Sequence, residues 1–76
     1  MQKPTELREL AWLRRALTNG EARDIRTRAH LTTGDVARAI DVTPMTVWRY
    51  ERQLRTPRGD TALRYGRLLR SLQKAA

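Results

Sequence analysis

Between Thr43 and Arg58 the chain gathers the side chains best suited to chemistry with a polyanion. Arg49, Arg52, Arg55 and Arg58 each carry a planar guanidinium fork, which fits a phosphate or the O6 and N7 edge of guanine through paired hydrogen bonds. Thr33 and Thr46 add hydroxyls that can bond phosphate, and helix N-termini offer amides for the same purpose. Pro44 and Met45 have no side-chain donor, so against bases they would sense thymine methyl groups or groove shape. The Arg49 fork suits a base edge and a phosphate alike. Trp48 either stacks on sugar or thymine methyl, or packs against the neighbouring loop or Leu54.

Other chemistries find little here. The 76 residues include no cysteine, which removes disulfides and Cys-based zinc sites. The one histidine, His30, cannot build a metal site alone and is expected to be an exposed residue at a helix end. No Ser/His/Asp or Cys/His constellation, metal cluster or phosphate-cradling glycine loop is visible, so no enzyme activity, cofactor or metal is expected. The formal net charge of +8 points to a polyanion, most often nucleic acid. Only Lys3 and Lys74 are lysine among the 16 cations; a GC-rich genome explains that preference as well as function does, but not the net charge. The first 30 residues have no apolar run of the ~7–15 residues a signal peptide needs, and nothing approaches the ~18 of a membrane span. A cytoplasmic setting without membrane contact is the expectation.

The apolar pattern that must position these side chains is helical throughout. A first helix is expected over Thr5 to Thr18, with Leu10, Leu13 and Leu17 on one face, Leu7 just before them and Trp12 off the stripe. A second spans Glu21 to Ala29, with Ala22, Ile25 and Ala29 inward; Thr18 and Glu21 have capping-box spacing, and Asn19 is a competing cap. A third covers Thr33 to Ile40, capped by Thr32 with Asp35 as reciprocal partner. A fourth runs from Pro44 to Arg52 behind Thr43, where proline suits a position that needs no amide donor. Leu54 to Gly59 is expected to be a loop, and Asp60 to cap a last helix from Thr61 to Lys74. Leu63, Tyr65, Leu68, Leu69 and Leu72 give that helix an apolar face wider than one small core obviously needs.

The stretch from Thr32 to Glu51 places small Ala37, then Val42 and Val47 at intervals of five, around a three-residue connection. With Ile25-Arg26, Thr32, Val42-Thr43, Tyr50-Glu51 and Arg55-Thr56-Pro57, these residues resemble the Cro/C1-type helix-turn-helix family, also called the Xre family. The resemblance covers about Gly20 to Leu72. It departs at Asp41, where the family usually has glycine in the turn, and at Gln53, where the family favours glycine after the glutamate. Asp tolerates the left-handed conformation better than most residues.

The resemblance implies an all-α bundle of about five helices, the lambda repressor-like DNA-binding fold, as a single domain over residues 1–76. Residues 33–52 would be the helix-turn-helix, 5–18 an added N-terminal helix and 60–74 the C-terminal helix. It implies a recognition helix in the major groove, with Thr43, Pro44, Met45, Trp48, Arg49 and Arg52 facing the groove, and makes Arg49 the candidate for direct base readout, with a grip on phosphate as the alternative. Arg58 would reach the backbone or an adjacent minor groove, or else belong with Arg55 to a solvated basic loop. Arg26 and Glu51 would form a structural salt bridge between the second and fourth helices.

The expected function is sequence-specific binding of double-stranded operator DNA by a transcription regulator, a phage Cro-like repressor or small prokaryotic regulator. It would act as a homodimer, at least on DNA, through the last helix or the N-terminal leucine stripe. The alternative is an antitoxin that binds a toxin protein through its N-terminal helix and autoregulates its operon.

Overall fold

A computed structural model describes residues 3–75, and over that span the chain is all-helical: α1 (Pro4–Thr18), α2 (Glu21–Arg28), α3 (Thr33–Ile40), α4 (Pro44–Glu51) and α5 (Gly59–Ala75). Its radius of gyration is 11.3 Å, against about 11 Å for a packed chain of this length. One cluster of buried side chains draws on all five helices. Leu13, Ala37, Ile40, Val47, Tyr65 and Leu69 are each fully enclosed in it.

The helix starts follow from side chains that satisfy otherwise orphaned amides. The Thr32 hydroxyl accepts from the Asp35 amide at 3.0 Å, and the Asp35 carboxylate accepts from the Thr32 amide at 2.9 Å. That backbone donor, with the Thr32 hydroxyl and Arg38, holds the Asp35 carboxyl below the usual aspartate range. At α4 the Thr43 hydroxyl accepts from the Thr46 amide, and Pro44 opens the helix.

Several starts and stops differ from the sequence-based expectation. Thr18 does not pair with Glu21: its hydroxyl donates back to the Arg14 carbonyl, and Asn19 accepts the Glu21 amide at 2.9 Å. Asp60 does not cap α5, because the helix already begins at Gly59 and Asp60 falls within its first turn. α1 begins one residue early, at Pro4, and α2 and α4 stop one residue early, leaving Ala29 and Arg52 as their caps.

The ends of α2, α3 and α4 share one closure. His30, Asp41 and Gln53 adopt left-handed backbone with φ near 60°. The amide after each donates to a carbonyl five residues back: Leu31 to Arg26, Val42 to Ala37 and Leu54 to Arg49. Both departures from the glycine pattern, Asp41 and Gln53, thus occupy the geometry that favours glycine. Gln53 also ties its amide side chain to the Thr18 carbonyl at 3.3 Å.

α5 lies along α1, and Gly66 marks their closest approach: a Cβ there would stand 2.9 Å from Glu9 Oε1. Glu9 accepts from Arg70 Nε at 2.9 Å, and the Arg70 guanidinium covers the Trp12 ring at 4.4 Å. Trp12 is therefore half-buried in the α1–α5 seam. The wide apolar face of α5 is largely used within the chain: Leu63, Tyr65 and Leu69 are buried, and Leu68 and Leu72 pack against the core. Leu10, Leu13 and Leu17 of α1 are buried as well, while Leu7 is exposed. No helix among the described residues is long and apolar enough to cross a membrane.

Candidate nucleic-acid interface

α4 stands on α3 across the short Asp41–Thr43 connection. Val47 and Tyr50 bury its inner side beside Val36, Ala37 and Ile40, and Val42 packs against the same cluster from the connection. Burial of that side turns the opposite one outward. Pro44, Met45, Trp48, Arg49 and Arg52 follow one another at helical spacing, and all are exposed. Met45 and Trp48 rank among the few large apolar side chains left open to solvent. Arg49 and Arg52 have no ion-pair partner among the described residues.

The threonines are differently placed. Thr43 and Thr46 share a hydrogen bond between their hydroxyls at 2.9 Å, so each keeps only part of its capacity for a ligand. Thr33 is the first residue of α3, half-buried. It shares a cleft of about 360 Å³ with Arg23, Arg26, Trp48, Glu51 and Arg52. Arg23, on the exposed side of α2, is a cation that nothing in the local sequence singles out, since only the packing of α2 beside α4 brings it there.

Arg55 and Arg58 are exposed in the loop between α4 and α5. They line a different cleft, with Tyr50, Gln53, Leu54 and Thr56, that shares no residue with the first. Pro57 is fully buried and anchors that loop to the core.

Beneath this surface Arg26 and Glu51 make a two-pronged bridge. Arg26 Nε donates to Glu51 Oε2 at 2.6 Å and Nη2 to Oε1 at 2.9 Å. Nη1 donates to the Leu31 carbonyl at 2.9 Å, so the guanidinium also holds the end of α2. The Arg26 side chain is 12% exposed and that of Glu51 5%. The hydrogen bonds that Arg26 donates to Glu51 keep its pKa above the ordinary arginine value.

Tyr65 lies under the pair. Its ring is 5.8 Å from that of Tyr50, and its buried hydroxyl has no hydrogen-bond partner among the described residues. Burial pushes its phenol well above the ordinary tyrosine range, and Glu51 adds to the shift. An unpaired buried hydroxyl costs about 1–3 kcal/mol. Tyr65→Phe is therefore expected to raise the urea midpoint, with a gain of about 1 kcal/mol. A loss of stability would mean that the hydroxyl has a partner.

His30 is exposed at the end of α2. No group of three or more His, Cys, Asp or Glu able to hold a metal ion occurs among the described residues. Neither a family model, nor a curated protein, nor a solved structure matches the chain.

Proposed function

We propose that this chain binds duplex DNA with α4 as its reading helix, and acts as a sequence-specific transcription regulator of the Cro/C1 type in the cytoplasm. The observation that carries this reading is the exposed face of α4. It presents Arg49 and Arg52 without acidic partners among the described residues, and the loop behind it extends the charge with Arg55 and Arg58. The α3–α4 pair, with its short turn, suits insertion of a helix into the major groove.

On this reading Arg49 donates to guanine O6 and N7, and Met45 and Pro44 touch thymine methyl groups. Thr33, Thr43, Thr46, Arg52, Arg55 and Arg58 hold phosphates and fix the register. A single eight-residue helix spans few base pairs. A symmetric pair of chains on a palindromic site doubles that contact.

Titration of labelled duplex with protein across a salt series tests the reading. With about 5 phosphate contacts, log K is expected to fall against log salt with a slope near −4 to −5. Selection of duplexes from a random pool, with the mass of the complex measured, then gives the site and its stoichiometry. Duplex binding with a slope near zero would sink the proposal.

A further inference from the structure

The Arg52 guanidinium carbon sits 4.5 Å above the centre of the Trp48 ring. A guanidinium over an aromatic face is attracted to the ring through its charge and still has N–H donors, five in all, to offer to other acceptors. One face of the indole is then covered and cannot meet a base. Both side chains line the cleft between α2, α3 and α4, together with Arg23 and the hydroxyl-bearing Thr33. The other two charged residues of that cleft, Arg26 and Glu51, neutralise each other through their paired hydrogen bonds. Arg23 and Arg52 remain as its unpaired charges among the described residues.

We infer that Trp48 is a positioning residue that holds Arg52 in place, so that Arg52 and Arg23 receive one DNA phosphate in this cleft. The inference rests on the DNA-binding reading and assigns Trp48 a role away from the bases. A free arginine loses much rotamer freedom on binding, and one already laid on a ring loses less. Lysine could not replace Arg52 here, since it lacks the flat face that stacks.

A double-mutant cycle on a mixed-sequence duplex at fixed salt tests it, using Trp48→Ala, Arg52→Ala and the pair. Trp48→Ala is expected to weaken binding roughly 3- to 10-fold, the cost of immobilising one long side chain on binding, and Arg52→Ala at least as much, since it also removes the phosphate contact. The double variant is expected to bind no worse than Arg52→Ala alone, because Trp48 acts through Arg52. Trp48→Phe keeps an aromatic face and is expected to retain most of the affinity. Replacing thymine by uracil in the duplex is expected to leave the Trp48→Ala effect unchanged.

In the free protein the Arg52 side-chain proton resonances are expected to lie upfield, and to return to ordinary positions in Trp48→Ala. Additive losses in the cycle, or a Trp48→Ala effect that vanishes on the uracil duplex, would overturn the inference and leave DNA binding standing. Failure of the wild-type chain to bind any duplex would overturn both, with the stack still visible by resonance.

Discussion

Glu51→Ala is expected to lower folding stability by about 3–5 kcal/mol, read as a fall in the urea midpoint. The substitution leaves the Arg26 guanidinium with one carbonyl, that of Leu31, in place of three acceptor contacts. At 12% exposure that cation cannot regain the water it gave up on folding. A domain of this length has a total stability of only about 4–11 kcal/mol, so the loss is roughly a quarter of it or more. Arg26→Ala should cost a similar amount for the opposite reason, an unpaired carboxylate at 5% exposure.

Replacing both residues by apolar ones of similar volume, Arg26→Met with Glu51→Leu, is expected to restore much of the loss, since burying two charges is itself expensive. A cost below about 1 kcal/mol for the single changes would class the pair with ordinary surface bridges.

If α4 reads DNA as proposed, Arg49→Ala is expected to erase about 1–3 kcal/mol of discrimination between a selected site and random duplex, roughly 5- to 150-fold. Stability should stay within about 0.5 kcal/mol, because the side chain is exposed and has no ion-pair partner among the described residues. Arg58→Ala is the contrast: it should weaken both duplexes about equally and flatten the salt slope by about 1. Competition binding at two salt concentrations separates the two effects. If neither variant changes binding to either duplex, the outward face of α4 is not the face that meets DNA.

The number and order of the helices were legible because the evidence is local. Leu10, Leu13 and Leu17, or Val36, Ala37 and Ile40, lie on one side of a 3.6-residue period, and Thr32, Thr43 and Pro44 supply starts that need no distant partner. Errors fell where two local signals competed. Thr18 and Asn19 both offer oxygen to the start of α2, and the backbone chose Asn19. Asp60 and the Pro57–Gly59 breakers placed α5 too late, because the helix can begin on the glycine itself.

What only packing creates could not be read along the chain. The spare apolar surface expected of α5 is taken up by its own core, and Trp12 fills the seam with α1. Arg23 enters the cleft from another helix, and the Trp48–Arg52 stack is a choice of rotamer that spacing alone leaves open.

The left-handed closures at His30, Asp41 and Gln53 bear on how the protein can change over time. A residue with a Cβ held in that conformation costs about 1–2 kcal/mol, less for Asp. Three of these in so small a chain are stability left unclaimed, each within reach of one glycine substitution. If α4 is the reading helix proposed above, substitutions on its face that alter recognition but weaken the scaffold are absorbed by releasing one of them. The turns would then act as an evolutionary reserve, letting the choice of target drift while the frame stays folded.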